Sequence, residues 1–426
     1  MRQKVFTTPL IGIATYLFVI HSYKLPIAGY AVGLALVGLF FEGRALRTPP
    51  FLQWFGAWLL WGLLTMAWSN FPSEVWPVWV EFSKVWLIVF VAVNAIRAPA
   101  QLLAFAITWL GMFALYPVRG TLFNILFGYG IQGRYAWNFA FENPNDMAAY
   151  TLLLLALSVA VLRIAPARWV RWSALAGVFI LPMIMFATQS RGGLLGLAVF
   201  ILLVFAGERA KLKVLAVGVA AAGLILMTAP EGVWQRIRGM ENLTSTATIA
   251  DADEESSAEQ RWTIWQVAFE IIGEHPVGGV GLGVYPKENA LMVRRMGGRD
   301  GSVGLARGER DSHSMFLTVA AETGAVGMAI FLGMLISAIA ASLRAERRLK
   351  AIAGTDADRQ ALVALRAGLT GFLIAGVFGG LHREPQLYFM MTLIVHYSTL
   401  LMGIPQSVSR TAAPGRPAPR LARGLT

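Results

Sequence analysis

Thr151-Leu-Leu-Leu-Leu-Ala-Leu-Ser-Val-Ala-Val-Leu162 carries no charge, no proline and no glycine. A strand of a membrane β-barrel alternates apolar and polar residues over about ten positions, and this run is apolar on every side. It reads as the core of a helix that crosses a bilayer, which needs about 20 mostly apolar residues. Runs of the same kind recur along the whole chain of 426 residues, of which 56% are hydrophobic and only 14% charged. The fold class that follows is all-α, a polytopic membrane protein with about twelve transmembrane helices. They are expected near 6–22, 26–41, 51–68, 78–96, 99–117, 146–162, 172–188, 193–206, 213–228, 313–342, 367–381 and 386–403. The chain has no cysteine, which excludes disulfides, thiolate chemistry and Cys-metal sites.

The net charge of +12 reports orientation before it suggests nucleic acid. With the N-terminus placed in the cytoplasm, Lys24, Lys84, Arg119, Arg134, Arg191 and Arg383 are the six basic residues of the outer short loops and spans, against twenty-one on the inner side. That asymmetry predicts both termini inside and the long polar segment outside. The first span, basic at its start and without a small-residue cleavage site, reads as an uncleaved anchor. Four regions result: transmembrane helices over 1–228, an outer catalytic segment over 229–312, transmembrane helices over 313–408, and a disordered basic tail over 409–426. Strong internal repeats are missing, which argues against a transporter built of two similar halves.

The outer segment divides further. Residues 229–242 are expected to form a short surface helix, and 243–259 a mobile stretch. From Arg261 a helical pattern places Trp262, Ile264, Trp265, Ala268, Phe269, Ile271 and Ile272 on one face until Pro276 and the glycines of 278–283 end it.

Several polar residues stand where chemistry needs them. Arg191, in Thr188-Gln-Ser-Arg-Gly-Gly193, joins two spans at their outer ends, and its planar fork suits a phosphate or diphosphate. The plain reading is an arginine that snorkels or caps a helix. Arg261 opens the outer helix and has Glu255 and Glu259 as ordinary salt-bridge partners. Among the five histidines, His313 combines an outward helix start, neighbouring arginines and Asp311, an acid able to orient its ring. His382, beside Arg383 and Glu384, is a secondary candidate, whereas His21 and His396 read as helix-packing residues and His275 precedes a proline turn. Asn143-Pro-Asn145 is explained by helix capping, with Asn145 able to face a site. Asp251-Ala-Asp253 has the form of a metal-binding Asp-x-Asp but sits in a Ser/Thr/Ala-rich loop, and Asp356-Ala-Asp358 repeats it on the inner side. Glu81 and Lys84, three apart within a span, are expected to pair. Arg294, Arg295, Arg299, Arg307 and Arg310 make a basic stretch suited to an anionic lipid or glycan.

Arg261-Trp-Thr-Ile-Trp265, His275-Pro-Val-Gly-Gly-Val-Gly-Leu-Gly283, His313-Ser-Met-Phe-Leu317 and Glu322-Thr-Gly-Ala-Val-Gly327, together with Asn143-Pro-Asn145 and Ser190-Arg-Gly192, resemble the O-antigen ligase and polymerase superfamily. The resemblance spans about 140–335. It implies a GT-C-like, metal-independent glycosyltransferase of the bacterial inner membrane, with no cofactor and an active site on the periplasmic face. The implied donor is an undecaprenyl diphosphate-linked glycan and the implied acceptor a hydroxyl of lipid A-core. In a polymerase the acceptor is a second carrier-linked unit, and in related O-oligosaccharyltransferases a protein hydroxyl. Membrane lipids are the surroundings, and no nucleic acid is involved.

The residues fit that chemistry in their own right. A sugar leaving from diphosphate departs as a stable anion, so the paired carboxylates of glycosidases are not needed. Cations must hold the diphosphate, which Arg191 and Arg261 supply, and a base must take the acceptor proton, which His313 supplies as neutral imidazole. The readings of another class are a lipid-linked glycan transporter and a scaffold.

Overall fold

The computed structural model describes residues 5–23, 25–130, 134–137, 139, 141, 143–208, 257–297 and 306–404. The expected span at 213–228, the surface helix at 229–242, Asp251, Asp253, Arg299 and the C-terminal tail lie outside these residues. The described chain is helical: α1 (Thr8–His21), α2 (Ala28–Glu42), α3 (Pro50–Leu64), α4 (Pro72–Ala95), α5 (Pro99–Phe113), α6 (Arg119–Phe127), α7 (Pro144–Ile164), α8 (Arg168–Ala187), α9 (Arg191–Gly207), α10 (Ser257–Glu274), α11 (Tyr285–Gly297), α12 (Met315–Leu349), α13 (Asp356–Ala375) and α14 (Pro385–Met402).

Six helical stretches are long and apolar enough to cross a membrane: Pro72–Ala95, Pro99–Phe127, Pro144–Ile164, Arg168–Ala187, Met315–Leu349 and Asp356–Phe378. The apolar helices α1, α2 and α9 are shorter than that. Six candidate spans among the described residues therefore stand beside the expected twelve. One expected boundary moves for a clear reason. The span near 99–117 does not stop at Pro117, because a π-helical turn over Ala114–Val118 absorbs the proline and α5 continues into α6. Proline lacks the N–H of a regular turn, and a wide turn accommodates that gap without ending the helix.

Small residues set how closely these helices approach. In hydrocarbon, apolar side chains gain little by leaving lipid for one another, so association relies on close backbone contact. A Cβ on Gly196 of α9 would collide with the Gly371 carbonyl of α13, and one on Gly193 with Ala148 of α7. Gly12 of α1 stands likewise against Ala31 and Ala35 of α2. Around these crossings lies one core that includes Trp58, Trp109, Tyr150, Phe331 and Phe372, all fully buried.

The glycine loop before α11, together with the kink of α12, docks on the α3–α4 turn. Trp61 and Trp68 donate their indole N–H groups to the carbonyls of Thr323 (2.8 Å) and Gly279 (3.1 Å), and the Leu282 N–H donates to Thr65 Oγ1 (3.0 Å). Asn70 donates to Glu288 at 2.7 Å. α10 buries Ile264, Val267, Ala268 and Ile271, the i, i+3, i+4, i+7 stripe of a helix face. Trp262 and Phe269, expected on that face, lie 56% and 52% exposed on the other. Ile264, Ala268 and Ile271 lie on the expected face, and only Trp262 and Phe269 leave it, because bulky aromatics suit a membrane surface as well as a core.

Candidate functional site

The starts of α7, α9, α12 and α14 and the ends of α8 and α13 meet at one end of the bundle, beside α10. The Ser-Arg-Gly-Gly stretch is the N-terminus of α9: Ser190 is the N-cap, its hydroxyl accepts from the Gly193 N–H at 3.2 Å, and Arg191 is the first helical residue. Asn143 caps α7 in the same manner, accepting from the Asn145 N–H at 2.9 Å. Ser314 caps α12, accepting from the Leu317 N–H at 3.4 Å.

The first turns of α7 and α9 open into one small cavity, lined by Asn145 and Asp146, by Ser190, Gly192 and Gly193, by Arg261, and by Phe378, Gly379 and Leu381. Two helix N-termini, Arg261 and the acid Asp146 thus border the same space; the helix starts and the arginine favour a bound anion and the acid opposes one. Arg191 stands exposed at the edge of that turn, with its backbone neighbours in the lining. Asn145 lines this cavity, and its Oδ1 accepts from Arg134 at 2.7 Å. Arg134 also donates to the Thr188 carbonyl at 2.9 Å, so it clamps the α8–α9 turn to α7. Sequence reasoning missed Arg134 and Asp146. Arg134 sits in a loop without pattern, and its role comes from contacts 11 and 54 residues away.

His313 lies just outside the start of α12, partly buried, with φ 51°. A left-handed histidine costs about 1–3 kcal/mol and persists only where its neighbours hold it. Both neighbours do so. Ser312, fully buried, shares a hydrogen bond with Thr318 (2.6 Å), donates to the Ser314 carbonyl (2.8 Å), accepts from the Ser314 N–H (3.1 Å), and receives Trp265 Nε1 on its own carbonyl (2.9 Å). Trp265 stacks in turn on Phe378 of the cavity lining, at 5.9 Å between ring centres. Burial lowers the His313 pKa, and the Arg261 guanidinium lowers it further, with Asp311 opposing and Arg310 assisting. The imidazole is therefore held neutral, able to accept a proton, and electrostatically coupled to Arg261. Gln189, the other non-glycine residue with positive φ among those described, at 51°, precedes Ser190.

The glycine-rich stretch 275–283 has a structural task. At Gly324 (φ 64°, ψ −169°) α12 leaves helical geometry, and the freed groups bond to the glycine loop. Val280 and Gly281 donate to the carbonyls of Ala321 and Glu322 (both 2.9 Å), and Ala325 donates to Pro276 O at 2.8 Å. A side chain on Gly279 or Gly324 would collide with the facing backbone. The Glu322 side chain, 1% exposed, sits at this knot, with Arg383 at 3.8 Å and the backbone N–H groups of Gly283 and Tyr285 directed at its carboxylate. His382 occupies the short 3-10 turn Leu381–Arg383, buried against Phe82, with neither ring nitrogen hydrogen-bonded. Burial, then Arg383, pushes its pKa well down. His382 is thus uncharged.

Other expectations resolve as structure. His21 accepts from Trp109 Nε1 (3.3 Å) and bonds the Leu17 carbonyl (2.8 Å), Glu81 and Lys84 pair at 2.6 Å, and Asp358 accepts from Tyr397 at 2.7 Å.

With six candidate spans among its described residues, the chain belongs among multi-pass membrane proteins. Residues 176–332 match the family model described as O-Antigen ligase, in accord with the O-antigen ligase and polymerase superfamily that the motifs resemble. Members of that family are glycosyltransferase-like enzymes. The match takes in Arg191, Arg261, Asp311, His313 and Glu322 and leaves out Arg134, Asn145, His382 and Arg383. No curated protein matches the chain.

Proposed function

We propose that this protein is an O-antigen ligase of the bacterial inner membrane. It transfers a glycan from undecaprenyl diphosphate to a sugar hydroxyl of lipid A-core at the periplasmic face. The observation that carries the reading is the pairing of an anion cavity containing Arg261 and two helix N-termini with a neutral His313 electrostatically coupled to that arginine.

Arg261 and Arg191 hold the diphosphate and stabilise the charge it gains as it leaves. His313 takes the proton of the acceptor hydroxyl as the oxygen attacks the anomeric carbon. The bond from that carbon to the diphosphate oxygen breaks as the new glycosidic bond forms, so configuration inverts. Undecaprenyl diphosphate departs with the electron pair, and the imidazolium later releases its proton to water. No metal is required in this scheme, because guanidinium groups and backbone N–H groups supply the positive field.

The test is transfer by the purified full-length protein in detergent, with undecaprenyl diphosphate glycan, lipid A-core and EDTA, followed by separation of the lipid products. Glycan on the core supports the ligase. Growth of chains on the carrier instead makes it a polymerase, and neither product returns the transporter reading. Near-normal transfer by Arg191→Lys counts against a bidentate arginine.

A further inference from the structure

His313 depends on its neighbours for its shape. Its φ of 51° is a left-handed value that a β-carbon disfavours, and such a residue keeps it only where the surrounding contacts over-determine it. Part of that restraint is local. The Ser312 hydroxyl bonds to Ser314 and Thr318 and the Ser314 hydroxyl caps α12, so these contacts travel with the start of that helix. The rest comes from another helix. Trp265 of α10 donates its indole N–H to the Ser312 carbonyl at 2.9 Å. That oxygen and the His313 N–H belong to one planar peptide unit, and the φ of His313 is the turn of its own Cα against that plane. Holding the oxygen therefore holds the plane from which the histidine is turned.

The same indole is seated against the anion cavity. Its ring stacks on that of Phe378, 5.9 Å away between centres and tilted by 27°. Phe378 lines the cavity and packs on Gly192 in the first turn of α9, where a Cβ would stand 3.2 Å from the phenylalanine Cβ. Arg261, which also lines the cavity, precedes Trp265 by one helical turn, and residues at i and i+4 share a helix face. Consecutive turns of α10 thus carry the cation at the cavity and the indole that grips the peptide of His313. A tryptophan that only fills space between helices is served by any acceptor for its N–H. This one uses the carbonyl beside the strained residue.

We propose that Trp265 is a positioning residue for His313, on the reading of His313 as the base that rests on the function proposed above. Its N–H holds the Ser312–His313 peptide plane, and its seat on Phe378 registers that plane to the wall of the anion cavity. Trp265 acts through the histidine and not on a substrate. Without the N–H the peptide is free to turn, the histidine relaxes to negative φ, and the imidazole leaves the place where an acceptor hydroxyl meets it.

The test uses the full-length protein with Trp265→Phe, which keeps a ring on Phe378 and deletes the N–H. Transfer is measured beside carbethoxylation of each histidine by diethyl pyrocarbonate, read peptide by peptide in a mass spectrometer with no substrate present. The expected result is a fall in kcat of about 10–10²-fold, the cost of a misplaced catalytic group, with donor KM and affinity for inorganic diphosphate changed less than about twofold. His313 should be modified several times faster, while the exposed His275 and the buried His21, His382 and His396 keep their wild-type rates. In the His313→Ala background the same substitution should leave the residual transfer rate unaltered, because the two residues act as a unit. Wild-type kcat and wild-type His313 modification in Trp265→Phe overturn the proposal, as does a further rate loss in the His313→Ala protein. So do buried histidines that become reactive together with a parallel rise in donor KM, the mark of a merely structural tryptophan. Modification needs no turnover, so it decides the positioning of His313 even where the wild-type protein transfers no glycan and the ligase reading itself fails.

Discussion

The two ends of α12 handle buried charge in opposite ways. At its finish, Glu346 receives Arg366 at 2.6 Å, Lys350 at 3.4 Å and Arg359 at 3.9 Å. Arg366 also donates to Ser342, and Arg359 to Asp356 and the Gly207 carbonyl. Nearby, Glu208 receives both Arg163 and Gln360 at 2.7 Å. Arg366 and Arg359 of α13 reach Glu346 of α12, and Arg163 of α7 and Gln360 of α13 reach Glu208 at the end of α9, so the charges fasten α7, α9, α12 and α13 together. At the beginning of α12, the fully buried Glu322 has one arginine, at 3.8 Å, and the His382 ring has no hydrogen-bond partner. Buried polar groups are nearly always satisfied where their task is to hold a fold. An end where they are not, beside a strained histidine and an anion cavity, is the end set up for something else to arrive.

The largest effect expected from this contrast is on turnover. His313→Ala should lower glycan transfer about 10²–10⁴-fold, the usual worth of a positioned base, with the thermal midpoint of the purified protein unchanged. A silent variant would remove the catalytic end from the comparison altogether. Next in size is a matched pair of amide substitutions. Glu346→Gln should destabilise the protein by about 3 kcal/mol, because Arg366 and Arg359 lose the charge that compensates their burial. Glu322→Gln should change stability by less than about 1 kcal/mol, since its one ion pair, to a half-exposed Arg383 at 3.8 Å, is loose. Equal losses in thermal unfolding at both positions would show that the two ends do not differ.

How much of this was readable beforehand follows from range. The continuous apolar runs announce helices, and the helices near 72–95, 144–164 and 168–187 stand within a few residues of where hydropathy puts them. Asn143 was legible as a cap, because a cap is a contact two or three residues long, whereas Ser190 stood in a stretch read as a turn between spans and turns out to cap α9. Arg134 was not legible, nor was the burial of Glu322. Their surroundings are assembled from α7, the α8–α9 turn, the glycine loop and the turn before α14, and no local pattern encodes that meeting. The glycines of 278–283 read as a helix breaker; that they instead receive the kink of α12 depends on a partner some forty residues on.

A smaller effect concerns pH. The His313 pKa lies below its ordinary value of about 6.5, so the neutral base persists as pH falls and is lost only on passing through the lowered value. The acid limb of kcat should therefore lie below the ordinary histidine range. Arg261→Gln removes one of the two main causes of the lowering and should move that limb to higher pH, apart from any loss of donor affinity. A limb that stays in place would mean that Arg261 does not act on the histidine.

The smallest effect tests the capped helix starts. Ser190 and Thr355 both precede helices and both carry a hydroxyl, but at opposite ends of the bundle. Ser190 accepts from the Gly193 N–H of its own helix, whereas Thr355 donates backward to Ile352 O (2.8 Å) and Leu349 O (3.1 Å), closing the α12–α13 turn. Replacing either by alanine should cost about 1 kcal/mol of stability. The consequences for ligand then diverge. Ser190→Ala leaves the Gly193 N–H without its acceptor in the wall of the anion cavity, so diphosphate affinity should hold or rise even as the midpoint falls. Thr355→Ala frees only carbonyls far from that cavity, and diphosphate affinity should stay at the wild-type value. A loss of affinity in Ser190→Ala as large as its loss of stability would mean that the hydroxyl, rather than the helix terminus it caps, is what meets the anion.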